Sequence, residues 1–461
     1  MKKSFYLEPL GCAKNQVDGE IISSRLLDLG WIQSDSPQDA GVILVNTCGF
    51  IQPAKEESIN TTFELIQDHP QVPVIMAGCL AQRYGSQLMD QMPELAGVFG
   101  NHQVEAIGHY LENLLPQGTK VYLPDPAYGS QKSDGSDRRR RVLQGFPGSA
   151  YLKIAEGCQH RCSFCAIPLI RGKLRSYTIE AVVQEFRQLL SMGVKEINLI
   201  AQDLGSFGKD RGEPQLEHLL RGLLKEADDF FGATGINDQK SPNLWIRPLY
   251  LYPETFPLEI LDLFLEDSRL LPYFDIPFQH ANQDILKSMG RPVHKGTMME
   301  LIQGIRTKIP HAALRSSFIT GYPGETQDQH QELVDALAQA ELDWVGFFSY
   351  SREEGTRAYE IKPQVKAKDV VKRKSELERC QQEITYRLLD HRLNNQARTT
   401  MLVEEVLPGE PPIALGRCWF QAPEVDGLTV VPLPPANTKP GDWLEIELVS
   451  RSGVDMKARP V

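Results

Sequence analysis

The sequence predicts an α/β protein of three parts: a small parallel α/β domain, a partial (β/α)6 barrel and a small C-terminal β-barrel. Strand and helix patterns alternate over roughly the first 125 residues, and a longer alternating series covers about 150 to 355. After about residue 395 the chain is Pro-rich with short strand-like runs. Its 461 residues exceed what one hydrophobic core usually holds. The expected divisions are residues 1–128, a linker at 129–144, then 145–393 and 394–461.

The first part shows three short apolar strands with helical patterns between them. The predicted strands are Phe5–Leu10, Val42–Asn46 and Val74–Ala77, and the predicted helices are Glu20–Leu29 and Ala54–Gln67. Alternation at this spacing is typical of a parallel sheet with helices on its faces.

A polar, Gly/Ser-rich stretch, Gly129–Asp137, follows and predicts a flexible linker or exposed loop. Arg138–Arg141 comes directly after it. Four arginines could contact an RNA backbone, but a short charge run beside a linker is more often solvated, and we favour that interpretation.

The second series predicts six strand–helix units, which suggests an incomplete barrel with its site at the C-terminal ends of the strands. A long, charge-rich helical stretch over 366–394 connects onward, and three strands are expected in the last part. The predicted barrel strands are Tyr151–Ala155, Ile197–Ala201, Leu244–Leu249, Phe274–Ile276, Leu314–Ile319 and Trp344–Ser349, with helices such as Ile179–Met192, Leu216–Glu226 and Asp328–Ala340; the last strands are Thr400–Val406, Leu428–Val431 and Trp443–Val449.

Three cysteines, Cys158, Cys162 and Cys165, lie in one short loop immediately after the first predicted barrel strand. Thiolates are the usual ligands of iron–sulfur clusters, and a cubane cluster needs four ligands. Three thiolates leave one iron open to an outside ligand, as in catalytic metal sites. The alternative is a structural zinc loop completed by His160 or a distant cysteine. No second CxxC or HxxxH follows downstream, so the cluster is favoured.

A second cysteine set, Cys12, Cys48 and Cys79, lies just past the first three strands, with a glycine beside each cysteine. Because the carboxyl ends of parallel strands converge, the three thiols should meet in space. The alternative is three independent buried thiols, but the matched positions favour a second three-thiolate site. Cys380 and Cys418 lack such partners and are interpreted as structural.

Composition restricts the class of protein. The net charge is −11, so binding to a polyanion through the overall field is disfavoured, although a local basic patch could still bind one. The sequence has no signal-peptide pattern and no run of about 18 apolar residues that could span a bilayer. We therefore expect a cytoplasmic protein without a membrane partner, whose cysteines serve ligation rather than disulfides.

The Cx3CxxC spacing at 158–165, the N-terminal cysteine set and the terminal β segment together resemble the methylthiotransferase family of radical S-adenosylmethionine enzymes, over essentially the whole chain. The resemblance implies a radical barrel, a TRAM- or OB-like C-terminal domain, S-adenosylmethionine and two 4Fe–4S clusters. Cys158, Cys162 and Cys165 would hold the cluster that binds and cleaves S-adenosylmethionine. The N-terminal set would hold an auxiliary cluster that delivers sulfur. It also implies an electron donor such as flavodoxin or ferredoxin, and no acid–base or nucleophilic catalytic residue.

Within this family the chain is similar to the branch that modifies the β-carbon of an aspartate in small-subunit ribosomal protein twelve (RimO-like). The alternative branch modifies adenosine in tRNA (MiaB-like) and typically has Gln-Ser-Gly where this chain has Gln279-His280-Ala281. Gly19 departs from the RimO-like pattern, which usually has serine there. The stretches that carry the similarity are Gly11–Asp18, Asp275–His280, Glu353–Thr356 and Ala422–Gly427.

The charge of the last part agrees with a protein substrate. Residues 394–461 contain nine Asp and Glu against six Lys and Arg, a net charge of −3. A domain that neutralises phosphates should be basic, whereas an acidic one suits a basic ribosomal protein, free or in the assembled subunit. RNA contact is less favoured. The remote alternative is a zinc-bearing RNA-binding scaffold.

The remaining candidate residues each have a structural alternative. Gln202, Asp203, Gly321 and Arg315 follow or lie on barrel strands and could contact S-adenosylmethionine or substrate. Strand-end capping and an ordinary βα turn predict the same residue types at 202, 203 and 321.

Three arginines, Arg171, Arg175 and Arg315, could pair with a substrate carboxylate, with surface ion pairs as the equal alternative. Near the fourth barrel strand, His280 could orient substrate beside Asp275 and Gln279, but we favour a structural histidine.

Overall fold

The computed structural model describes residues 2–125, 140–234, 244–291, 298–395 and 397–461. It contains the three predicted parts: a parallel sheet, a partial barrel and a closed β-barrel. Within these ranges, no helix combines the length and the apolar character needed to cross a membrane.

The N-terminal domain is a six-stranded sheet in the order β2-β1-β3-β4-β5-β6, with all pairs parallel. Every residue of β3 and β4 is buried, as is typical of parallel strands covered by helices. The strands are β1 (Ser4–Pro9), β2 (Ile32–Gln33), β3 (Val42–Thr47), β4 (Val74–Gly78), β5 (Gly97–Phe99) and β6 (Val121–Tyr122); the helices are α1 (Ala13–Asp28), α2 (Gln52–Asp68), α3 (Cys79–Gln91) and α4 (Ile107–His109).

In the described residues, the central domain contains six parallel strands in two sheets, β11-β10-β7 and β12-β13-β14, joined by a bridge between Ile246 and Leu270. Strands β8 and β9 form a separate antiparallel pair. The six predicted strands lie within about two residues of their predicted positions, because buried strands are marked by apolar runs. The strands are β7 (Ser149–Lys153), β8 (Ala155–Glu156), β9 (Arg175–Ser176), β10 (Glu196–Ile200), β11 (Trp245–Pro248), β12 (Tyr273–Asp275), β13 (Ala313–Thr320) and β14 (Trp344–Ser349). The helices are α5 (Ile167–Arg171), α6 (Ile179–Ser191), α7 (Leu216–Thr234), α8 (Leu261–Glu266), α9 (Gln283–Ser288), α10 (Met298–Lys308) and α11 (Gln327–Ala340).

The C-terminal domain is a closed barrel in the order β15-β16-β17-β19-β18. Helix α12 (Ala367–Asn395) leads into it and packs against β14. Strands β16 and β19 were not predicted, because Gly and Pro lie close to the start of β16 and β19 is short, with only two buried apolar residues, Met456 and Ala458. The strands are β15 (Arg398–Leu407), β16 (Ile413–Cys418), β17 (Thr429–Pro432), β18 (Trp443–Ser452) and β19 (Asp455–Pro460).

A buried charge cluster joins the C-terminal barrel to the central domain. Glu196 at the start of β10 lies 2.9 Å from the Arg247 guanidinium and 2.6 Å from that of Arg417, which belongs to the C-terminal domain. All three side chains are fully buried. Removing one partner would leave an unpaired buried charge, so the cluster determines how the two domains dock.

Helix α1 begins at Ala13 rather than at the predicted Glu20. Its first turns carry the polar residues Lys14, Asn15 and Asp18, which are buried. The helix packs against β7 of the central domain. Hydrophobic periodicity cannot detect a helical turn whose buried face is polar.

The predicted linker Gly129–Asp137, together with Arg138 and Arg139, lies outside the described residues. Arg140 is buried, with its guanidinium 2.7 Å from Glu20 and 2.8 Å from the carbonyl oxygen of Tyr151. The solvated interpretation of the arginine run is therefore wrong for Arg140, because α1 and β7 enclose it. Arg141 is exposed and pairs with an aspartate of α1.

Candidate active site with two cysteine triads

The first cysteine set, here called the loop triad, is Cys158, Cys162 and Cys165. It lies between β8 and α5, past the C-terminal end of β7. Gly157 opens the loop with φ +70°, and a Cβ there would lie 2.1 Å from the carbonyl oxygen of Lys173. Only glycine therefore fits this turn, which brings three thiols to the end of the barrel.

The loop-triad thiols lie close enough to influence one another electrostatically. Burial raises the pKa of Cys158 to about 11, and the charge of Cys162 adds to the shift. Burial also raises the pKa of Cys165 far above its usual value, with further contributions from Cys162 and Cys158. Three mutually repelling thiolates are stabilised when a cationic centre binds them.

The second set, here called the strand-end triad, is Cys12, Cys48 and Cys79. Cys12 is the N-cap of α1, Cys48 follows β3 and Cys79 begins α3. A Cβ on Gly11 would lie 2.9 Å from the Cβ of Cys48, and one on Gly49 would lie 2.8 Å from the backbone of α3. The glycines allow this close approach, and the three cysteines meet as the strand order predicts.

Two cysteines of the strand-end triad, Cys48 and Cys79, are buried, whereas Cys12 is exposed. Burial raises the pKa of Cys48 to about 12, and the charges of Cys79 and Cys12 raise it further. Burial likewise raises the pKa of Cys79, which the Arg171 guanidinium opposes. Cys48 and Cys79 therefore lie in a low-dielectric environment, with the Arg171 guanidinium beside Cys79.

Arg171 links the two triads. Its guanidinium lies 3.3 Å from the Sγ of Cys79, 2.9 Å from Asp18 and 3.0 Å from Glu156, the residue that ends the strand before the loop triad. Arg171 is buried. Burial acts to raise the pKa of Glu156, but the charges of Lys153 and Arg171 outweigh it and hold that pKa well below its usual range. One buried ion network thus holds the N-terminal domain against the barrel mouth.

Each triad offers three thiols, which fits a 4Fe–4S cluster with one open iron. In the described ranges, no group of three or more His, Cys, Asp and Glu side chains is arranged to hold a single metal ion. The thiolates of a 4Fe–4S cluster bind different irons, so the single-ion criterion does not test cluster binding.

A polar group of side chains stands between the strand-end triad and the barrel. Lys14, two residues after Cys12, is 6% exposed, and its Nζ lies 3.2 Å from the centroid of the Tyr250 ring. Burial lowers the pKa of Lys14 to about 8, which the charge of Cys12 opposes. Nearby, Arg315 pairs with Asp275 at 3.1 Å. Tyr250 has φ 65°, a strained conformation for a non-glycine residue.

Asp203 anchors the loop triad through its neighbours. Its buried carboxylate accepts hydrogen bonds from the Gly205 N–H at 3.0 Å and the Thr255 hydroxyl at 2.9 Å, and lies 2.7 Å from His160 Nε2. The His160 ring stacks on Tyr252 at 3.9 Å. The hydrogen bond from Gly205 shows that Asp203 caps the backbone after the strand, which was the structural alternative for this residue. The contact of Asp203 with S-adenosylmethionine stays a prediction.

The structure places the other candidates as follows. Gln202 follows β10 and is half-buried, and Gly321 follows β13 with φ +76° and donates its N–H to Glu325. Arg175 lies opposite Glu156 in the β8–β9 pair, its charge helps to lower the pKa of Glu156, and it bonds to the carbonyl oxygen of Lys173 at 3.4 Å. The roles predicted for these residues stay predictions.

His280 has the contacts of a structural residue. It is buried, and its Nδ1 lies 3.0 Å from the Asn282 N–H at the start of α9. Gln279 has φ 71° and pairs through its backbone with β13. Sequence reasoning missed Lys14 and Tyr250 altogether. The only available signal was a lysine beside a candidate ligand within the run Gly11–Asp18.

Three family profiles match the chain in order. Residues 4–100 match a family described as "Uncharacterized protein family UPF0004", residues 152–337 match the radical SAM superfamily, and residues 397–461 match the TRAM domain. The zinc-scaffold alternative is therefore wrong, because the central domain is that of a radical enzyme.

Similar proteins cover nearly the full length. Proteins named ribosomal protein uS12 methylthiotransferase RimO are 37% identical in Treponema denticola (97% of this chain, 98% of the relative) and 39% in Syntrophomonas wolfei (97% of each). The one from Aquifex aeolicus is 37% identical, over 98% of this chain and 95% of the relative.

Solved structures confirm the fold alone. The radical S-adenosylmethionine methyltransferase TsrM from Kitasatospora setae, with cobalamin and a 4Fe–4S cluster bound, has a TM-score of 0.57 and 16% identity, over 78% of this chain and 77% of that chain.

Three matched domains and full-length similarity confirm the predicted resemblance. The protein is a radical S-adenosylmethionine methylthiotransferase that uses S-adenosylmethionine and 4Fe–4S clusters. The chain belongs to the ribosomal protein uS12 methylthiotransferase family.

Proposed function

We propose that this protein replaces a hydrogen on the β-carbon of an aspartate in ribosomal protein uS12 with a methylthio group. The observation that carries the proposal is the similarity, at 37 to 39% identity over nearly the whole chain, to proteins named for that reaction. The acidic C-terminal domain supports a basic protein partner, since complementary charge favours association.

We assign the loop triad to the cluster that binds S-adenosylmethionine and the strand-end triad to the auxiliary cluster. The position of the loop triad supports its assignment, because it lies past the C-terminal end of β7, where barrel enzymes have their active sites. When bound, the clusters and S-adenosylmethionine supply the radical, the methyl group and the sulfur that converting C–H to C–SCH3 requires.

The chain's own residues position and shield this chemistry. Arg171, bonded to Asp18 of one domain and Glu156 of the other, holds the triads on facing surfaces. Asp203 and Tyr252 fix His160 inside the loop triad, which limits movement of the loop. Burial of Cys48 and Cys79 shields these two thiols from water, while Cys12 remains exposed.

For the cofactor we propose contacts from Gln202, Asp203 and Gly321, which follow barrel strands, and from Arg315 within β13. Gly321 has a positive φ, and its missing Cβ allows the Val370 side chain to pack closely against the backbone of this turn. We further propose a cytoplasmic location and a flavodoxin- or ferredoxin-like electron donor, because reductive cleavage needs an external electron.

Mass spectrometry tests the substrate. Purified enzyme with S-adenosylmethionine, a sulfur source and a reductant is incubated with uS12, assembled small subunits or tRNA, under anaerobic conditions. The expected result is a methylthio group on one aspartate of uS12, in the free protein or the subunit. A methylthiolated nucleoside in digested tRNA, with the aspartate unchanged, would contradict the proposal and favour the tRNA alternative.

A further inference from the structure

Lys14 is a buried cation that makes no direct ion pair among the described residues: the charges of Cys12, Asp275 and Glu156 act on it only from a distance. The residue is only 6% exposed to solvent. Among the described residues, no carboxylate lies within 4.0 Å of its Nζ and no hydrogen bond from it is present; its contact is the Tyr250 ring face at 3.2 Å. Burying a charge is costly unless it is paired, so this ammonium has an unused capacity to bind an anion.

The position of Lys14 is specific. It is the second residue of α1, and Cys12 of the strand-end triad is the N-cap of that helix. Tyr250 follows β11, and Asp275 ends β12, so both lie at the C-terminal mouth of the barrel. Lys14 therefore stands between the auxiliary triad and the barrel mouth. The substrate carbon that receives the methylthio group must be reached both from the auxiliary triad and from the barrel.

The neighbouring cations are already paired. Arg171 bonds to Asp18 and Glu156, and Arg315 bonds to Asp275 at 3.1 Å. Lys153 contacts the same two acids as Arg171. The substrate carboxylate predicted to meet Arg171 or Arg315 would have to break these buried pairs. Lys14 can bind it without breaking any.

We propose that the Lys14 ammonium binds the side-chain carboxylate of the substrate aspartate, and so selects an acidic residue. This inference rests on the proposed function. The carboxylate carbon is bonded directly to the β-carbon, so holding the carboxylate at Lys14 brings the reacting carbon beside Cys12. Tyr250 supports the ammonium when no carboxylate is bound. Tyr250 also has a φ of 65°, and strained backbone of this kind clusters at functional sites.

Binding to the holoenzyme without S-adenosylmethionine tests this role apart from turnover. Fluorescence anisotropy measures the Kd of labelled uS12 carrying its natural aspartate or asparagine at the target position. We expect the wild-type enzyme to prefer aspartate by about 10- to 100-fold, the range for a hydrogen bond between charged groups. Lys14→Met should remove this preference by weakening aspartate binding alone. Lys14→Arg should retain most of it.

The matched control is Lys3→Met, which removes an exposed lysine paired with Glu112 in the same domain and should leave the preference unchanged. If Lys14 only balances the charge of the auxiliary cluster, Lys14→Met will weaken the binding of both forms of uS12 equally or will lower the iron and sulfide content. Either result shows that the inference is wrong. An unchanged aspartate preference in Lys14→Met also overturns it.

Turnover separates this inference from the proposed function. If the wild-type enzyme methylthiolates uS12 while Lys14→Met keeps the aspartate preference, only the role of Lys14 fails. If the wild-type enzyme neither binds nor modifies uS12, both proposals fail. Thermal unfolding of each variant identifies any Lys14 effect that comes from loss of the fold.

Discussion

The two cysteine triads present the same number of thiols but are assembled in opposite ways. The loop triad comes from eight consecutive residues whose path depends on one turn at Gly157. The strand-end triad comes from three strand ends of a sheet and exists only when β1, β3 and β4 are in register. A local site tolerates change elsewhere in the fold, whereas a dispersed site depends on the whole domain.

Replacing the cysteines of one triad or of the other should produce the largest difference in activity between the two regions. Replacing Cys12, Cys48 and Cys79 by alanine should remove about half the iron and abolish methylthio transfer, while reductive cleavage of S-adenosylmethionine continues. Replacing the loop triad should also remove about half the iron but abolish cleavage itself. Iron and sulfide analysis, with detection of 5′-deoxyadenosine, measures both.

The control for the triads is Cys380→Ala in α12, outside both sets, which should keep all iron and both activities. Loss of cleavage in the strand-end variant would show that the triads do not act separately.

Arg171 should matter to both triads because it bonds to both sides. Arg171→Met leaves Asp18 and Glu156 without one of their buried partners, and we expect a loss of about 3–5 kcal/mol in the free energy of unfolding. Urea unfolding of the metal-free protein measures this loss. Arg141→Met breaks only the exposed pair with Asp28 and should cost about 0–1 kcal/mol. Equal losses in the two variants would refute the linking role.

Gly157 should affect the loop triad alone. Gly157→Ala places a Cβ 2.1 Å from a backbone oxygen in a left-handed turn, and we expect about 1–3 kcal/mol of local strain. The loop-triad iron should then be lost first, while the strand-end iron remains. Electron paramagnetic resonance of the reduced protein distinguishes the two populations.

The matched control for Gly157 is Gly222→Ala in α7, where the nearest side-chain atoms are 3.7 Å from the added Cβ and alanine favours the helix. It should leave both clusters intact. Retention of all iron in Gly157→Ala would show that the turn is not needed.

The barrel strands were predictable, and so was the loop triad, because apolar runs and short cysteine spacing are local signals. The start of α1 was not predictable from periodicity, because its first turns bury Lys14, Asn15 and Asp18 against another domain. Strands β16 and β19 were not predicted because proline precedes β16 and because β19 offers too few apolar residues to show a period.

By itself, the sequence determined the order of the three domains, the positions of the barrel strands and the six cysteines that the triads contain. The tertiary structure decided which charges lie between them. Arg171 bonds to Asp18 across 153 residues, and Arg140 bonds to Glu20 across 120. No local pattern marks partners so far apart, because such pairs form only when the folded domains exclude water from both charges. The same burial leaves Lys14 unpaired at the barrel mouth.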